Sequence, residues 1–267
     1  MVSRPSTENT STLWRAAGAW VAAMIRLVPR RYRFRSAVRL SRAVALVVRH
    51  THHFRQLVHA KLDTPKEIAL HLLLHVMTTN DVQFDPDIAI DGYDGFRDAV
   101  RSGRGLLLVS PHASHSLTLL RTFHDEGLRP LVIGPDPRMR ILGTTVTAET
   151  LQRSRTFLVR ARTKLREGRL VCTMLDRAEH EPNTTVFDTA LGPVIFAPAL
   201  LHVAARCGAH VAFCETHLDG SRLRARIVLA SSGTGEGYER EFVEFVRSAI
   251  NRSAALVPLR RLQSVKT

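Results

Sequence analysis

The chain has 267 residues, is 45% hydrophobic and carries a formal net charge of +14. That length accommodates one α/β domain with a helical extension, and the apolar fraction is enough for a large core. No run of 18 or more apolar residues is free of charges, which excludes an evident transmembrane helix; the nearest approach, Leu13 to Val28, contains Arg15 and Arg26.

The first eleven residues are polar and read as a disordered end. Leu13 to Val28 then reads as a helix closed by Pro29, with Trp14 and Trp20 in its first half. Tryptophan and arginine around an apolar body suit a membrane interface, or a helix packed on the domain with its tryptophans inside. No acidic residue falls between Glu8 and Asp63, whereas ten arginines do, from Arg15 to Arg55. Such a block fits an anionic surface, here a membrane met by residues 12–62, or else a solvated face. Phe34 to Leu62 continues the helical texture and contains His50, His52, His53 and His59. His50 and His53 can share a helix face, but neither HExxH nor a cysteine partner accompanies them, so no metal site is expected. Thr64-Pro65-Lys66-Glu67 has the cap, first-position proline and third-position acid of a new helix. Its apolar face is Ile68, Leu72, Leu73 and Val76, and Glu67, His71 and His75 form a polar stripe expected to face solvent. Residues 1–80 thus read as a basic helical region and residues 81–267 as an α/β domain.

From Val82 strands and helices alternate. Strands are expected at Ile88–Asp91, Leu106–Val109, Leu131–Gly134, Leu170–Leu175 and His210–Glu215, with Asp219-Gly220 turning the chain into Leu223–Leu229. Helices are expected at Tyr93–Arg101, Leu117–Asp125, Arg155–Arg166, Val194–Cys207 and Tyr238–Ser253. The alternation implies a mostly parallel central sheet flanked by helices, with the hairpin adding an antiparallel edge. Ser231 to Gly237 reads as a flexible Gly-rich loop, and no GxGxxG or GxxxxGK[ST] signature is present. Cys172, Cys207 and Cys214 form no CxxC pair and read as reduced core thiols of an intracellular protein.

The most informative stretch is RGLLLVSPHASHSL, residues 104–117. A buried strand ends at Pro111, which has no N–H for the ladder. His112 follows just past the carboxyl end of that strand, where open α/β sheets place their ligands. Its pKa range suits a general base, and the helix N-terminus ahead favours the neutral ring; its plainer role is to fill the turn. His115, three residues on, can orient His112 or touch substrate. Ser114 and Ser116 read as helix caps, and no GxSxG elbow marks a serine nucleophile. Asp176 ends another parallel strand, with Arg177 beside it; Asp176 either binds a polar group, supports the histidine or caps a helix.

The segments IDGYDGF (90–96) and GRGLLLVSPH (103–112) resemble the opening of the lysophospholipid acyltransferase superfamily, closest to the late acyltransferases of bacterial lipid A biosynthesis. The resemblance continues in order through residues 165–176, 185–192, 197–215 and 218–227, and covers about residues 88–255. It implies a glycerolipid acyltransferase-like fold and transfer of a fatty acyl chain from acyl carrier protein or acyl-CoA to a hydroxyl, or an amine, of a lipid-type acceptor. No cofactor is implied beyond that co-substrate. It further implies a peripheral place on the cytoplasmic face of the bacterial inner membrane. His112 takes the position of the family's histidine, the general base of a His-x4-Asp/Glu motif. The acid position is Leu117, and counting from His115 gives Leu120. An acid that orients such a histidine contributes about four orders of magnitude in a comparable triad. Asp176 is the strand-end carboxylate available to replace it, so the catalytic set is His112, His115 and Asp176, with Ser114 and Arg177 binding substrate. The alternative is a silent relative that binds an acyl chain or a partner. A nucleic-acid-binding role finds no recognisable motif.

Overall fold

The computed structural model describes residues 18–48, 65–111, 115–134, 139–175, 183–190 and 192–254. The histidine-bearing stretch 49–64 lies outside them.

Seven strands form one sheet: β1 (Ile88–Asp91), β2 (Leu106–Ser110), β3 (Leu131–Gly134), β4 (Glu149–Gln152), β5 (Leu170–Met174), β8 (His210–Asp219) and β9 (Arg222–Leu229). Their order is β1-β9-β8-β2-β5-β3-β4. Only β8 and β9 pair antiparallel; every other neighbour is parallel. The expected α/β architecture is therefore present. The hairpin is not its edge, however, because β1 lies beyond β9 in parallel register, Ile88 opposite Leu223. A pairing between segments so distant in sequence leaves no local signal. The other edge is β4, a strand too polar and too short to stand out as an alternating pattern.

Helices α1 (Arg30–Val48) and α2 (Pro65–Thr79) precede the sheet. Helices α3 (Tyr93–Arg101), α4 (Leu119–Asp125), α5 (Phe157–Arg166), α6 (Ala199–Cys207) and α7 (Gly235–Ala254) follow in chain order. Residues 18–26 are also helical. The period-2 alternation of the strands sends alternate residues to opposite cores. Leu107, Val109, Val211 and Phe213 pack with Leu165, Leu201, Phe242 and Phe245 on the α5, α6 and α7 side. Leu106, Leu108, Ala212 and Cys214 pack with Phe96, Leu119 and Phe123 on the α3 and α4 side. Every residue of β2 is buried, as its unbroken apolar run requires of a strand covered on both faces.

Val194 to Phe196 is not helical. It belongs to β7 (Gly192–Phe196), which pairs antiparallel with β6 (Thr185–Thr189), Phe187 opposite Val194. Val-Ile-Phe favours a strand, and α6 begins only after Pro198. The Gly-rich segment is also more constrained than a flexible loop. The Glu241 carboxylate accepts the Ser231 and Ser232 amides, and α7 starts at Gly235 rather than Tyr238.

The N-terminal helices share a third core with the sheet. Phe34, Val38, Leu70, Leu74 and Met77 pack with Phe84, Leu142 and Leu223. Polar ties reinforce it. Asp87 accepts from Arg35 of α1 and from Arg222 of β9, and Thr78 of α2 accepts the Gly143 amide. Much of the basic block is used in this way. Arg33 donates to the carbonyls of Arg26, Val28 and Gln83, and Arg30 pairs with Asp85.

Candidate functional site at the carboxyl edge of the sheet

Strand β2 runs between β5 and β8, in parallel with both, so its carboxyl end lies in the middle of the sheet. The ladder stops at Ser110 and Pro111, both buried. His115 is followed by a 3-10 turn, Ser116–Thr118, that leads into α4. His112 and Ser114 lie outside the described residues, as do Asp176 and Arg177 just past β5. Of the catalytic and substrate-binding set read from the sequence, His115 is the one that lies among the described residues.

His115 has no exposed surface. Its ring meets that of His71, on α2, edge to face with 6.4 Å between centroids. The helical region therefore contributes directly to this edge of the sheet. Glu67, one turn before His71, is buried too, and accepts the backbone N–H of Leu218 on β8 at 2.7 Å. The stripe of Glu67, His71 and His75 thus does not face solvent as a whole; only His75 is exposed. The spacing correctly puts these residues on one helix face, but periodicity alone does not say what that face meets.

Several hydroxyls share this buried region. Ser116 is not a helix cap; its hydroxyl reaches back toward the Pro111 carbonyl at 3.5 Å. Thr118 and Thr216 each bury a side-chain oxygen that has no hydrogen-bond partner among the described residues. Thr216 lies on the same face of β8 as Ala212 and Cys214, and β8 packs on the 3-10 turn. A buried hydroxyl without a partner is uncommon, and two in one region give a bound oxygen atom potential donors. Arg153 also reaches this edge, donating to the carbonyl of Met174 at the end of β5.

Glu215, next to Thr216, points to the other face of the sheet, where Arg226 lies opposite it across the hairpin and stacks over Phe245. On that face it adjoins the α7 packing through Arg226. Cysteine chemistry is disfavoured here. Burial pushes the Cys172 thiol up to about 12. Burial, with smaller contributions from Cys172 and Glu215, raises Cys214 well above the ordinary thiol range. Neither forms the thiolate a nucleophile requires. Among the described residues no group of three or more His, Cys, Asp or Glu side chains is placed to hold a metal ion.

The sequence reading missed Glu67, His71 and Thr216 as parts of this edge. The i, i+4 spacing of the first two was visible, but their destination depended on how α2 docks. No protein-family model matches the chain, and no curated protein matches it.

Proposed function

We propose that the protein is an acyltransferase acting at the carboxyl edge of this sheet. It moves a fatty acyl chain from a thioester of acyl carrier protein or CoA to a hydroxyl, or an amine, of a lipid-type acceptor. The observation that carries this reading is the contact between half-buried His71 and fully buried His115 beside the end of the central parallel strand, His115 being three residues from His112. Imidazoles at a strand end suit proton transfer to and from an attacking hydroxyl.

In this mechanism His112 takes the acceptor's hydroxyl proton as its oxygen attacks the thioester carbonyl. The tetrahedral intermediate then collapses, the C–S bond breaks, and the departing thiolate takes the proton from the imidazolium. His115 and His71 position the base, Asp176 is the candidate orienting acid, and Ser114, Arg177, Thr118 and Thr216 face the substrate oxygens. Trp20 and Met24 on the first helical segment, and Leu27 just after it, are exposed, and with the flanking arginines they fit a peripheral place on an anionic membrane face. No helix among the described residues is long and apolar enough to cross a membrane.

A second reading follows from Leu117, which stands in the 3-10 turn at the position where the resembled motif has its acid. In that reading the protein binds an acyl chain or a partner without turnover. Thiol release from acyl-carrier and acyl-CoA donors, in the presence of lipid acceptors, separates the two. An active wild type that loses turnover in His112→Ala, with the fold retained, supports the transferase. Unchanged turnover in that variant removes the base assignment. A silent wild type activated by Leu117→Glu supports the second reading.

A further inference from the structure

Resting on the acyl-transfer reading, we propose that the acyl donor arrives on an acidic carrier protein that docks on the exposed face of α5. The face is built from Arg155, Val159, Arg162 and Arg166, with Arg206 contributed by α6. All five are exposed, Val159 at 66%. Residues 159, 162 and 166 share one stripe of α5, and Arg155 lies one turn before it. The Cys207 thiol lies 3.8 Å from the Arg162 carbonyl, which holds the end of α6, and so Arg206, beside this stripe.

The charge on this face is uncompensated. None of these four arginines has an ion pair or a side-chain hydrogen bond among the described residues. The neighbouring acids are already engaged, Glu167 with Lys164 and Glu149 with Arg169. This contrasts with Arg30, Arg33 and Arg35, which are tied to the rest of the molecule.

Size and composition favour a protein over a free nucleotide thioester or a bilayer. The ten residues of α5 extend for about 15 Å. Guanidiniums spread over that length match a row of carboxylates on a partner helix, whereas the phosphates of one nucleotide need a compact cluster. A single exposed valine ringed by arginines resembles the small apolar centre and Arg-rich contacts of protein interfaces. The large apolar side chains suited to a bilayer lie elsewhere, at Trp20, Met24 and Leu27. The position is also suitable. Arg153, just before α5, donates to the end of β5 and stacks over Phe157, so the start of the face adjoins the carboxyl edge where the thioester is needed.

The test is binding of fluorescently labelled acyl carrier protein, without an acyl chain, to the intact protein at low salt. Wild type should bind with an affinity that falls as salt rises. Arg162→Glu with Arg166→Glu should weaken it about tenfold or more, Val159→Glu should weaken it as well, and Arg162→Lys with Arg166→Lys should retain most of it. Thermal denaturation of each variant verifies the fold. No binding by wild type, or equal binding by the charge-reversed variant, overturns the proposal. So does an α5 charge-reversed variant that loses flotation with anionic vesicles while still binding the carrier. Because the assay needs no turnover, failure of the transferase reading shows separately, as absence of thiol release from every donor by the wild type.

Discussion

The ring of His71, from the N-terminal helical region, meets the ring of His115, from the first turn after the central strand, at an interplanar angle of 69°. Two imidazoles from segments 44 positions apart in the chain thus meet at the sheet edge where ligands of open α/β folds bind. The helical region is therefore part of the candidate site as well as a basic extension. His71→Gln and His115→Gln are each expected to lower thioester turnover by about 10² or more if the pair positions the base. The kcat-pH profile should change shape in both, with helix content retained. Variants with wild-type turnover and profile would leave the contact a packing feature alone.

Asp87 joins α1 to β9 through Arg35 and Arg222. Burial alone raises its carboxyl, but the hydrogen bonds and charges of the two arginines outweigh that and hold it below the ordinary carboxylate range. A carboxyl lowered in the folded state stabilises fully above its unfolded pKa, about 3.9, and loses that contribution as pH falls through the folded value. Asp87→Asn should cost roughly 1 kcal/mol at neutral pH, since both arginines are half exposed. Denaturant titrations should find the gap to wild type shrinking below about pH 4. A gap that stays constant to pH 2 would show the carboxylate charge to be irrelevant.

Gly103 and Gly105 both have φ +74°, but a Cβ on Gly105 would sit 2.1 Å from the Leu165 carbonyl oxygen, whereas one on Gly103 meets nothing within 4 Å. Gly103→Ala should cost about 1 kcal/mol from backbone strain, and Gly105→Ala distinctly more because the backbone must also move. Equal losses in urea denaturation would contradict this account of the turn into β2.

Cys172 and Cys214 are buried and their thiols are pushed upward, whereas Cys207 is partly exposed. One thiol per chain should react quickly with a disulfide reagent at pH 8, and three after denaturation. Cys207→Ser should abolish the fast phase; two or three fast thiols in the native protein would mean that the sheet opens readily.

Trp20 and Met24 on the first helical segment and Leu27 just after it are 67%, 49% and 79% exposed. Trp20→Glu with Leu27→Glu should abolish flotation with anionic vesicles while leaving thermal stability within about 1 kcal/mol, as expected for exposed positions. Flotation that persists would move the membrane contact elsewhere on the protein.

Much of the fold was legible in the sequence. The apolar run of β2, the glycines after α3 and α5, and the Asp219-Gly220 turn each act through local sterics and hydrogen bonding, so sequence spacing reveals them. Val194 to Phe196 was misread because a short apolar run suits helix and strand equally, and its pairing with Phe187 decided the outcome. The site was less legible. His115 could be singled out by its position after a strand, but His71, Glu67 and Thr216 gave no such signal.

The sequence by itself determined the alternation of strands and helices, the parallel core and the strand-end position of the histidines, because each follows from periodicity and from proline or glycine at element ends. Tertiary structure decided what the polar stripe of α2 faces, that β1 closes the sheet beyond β9, and which arginines are tied down and which remain free on α5. These are contacts between segments far apart in the chain. They depend on how completed elements pack, which a local pattern does not encode.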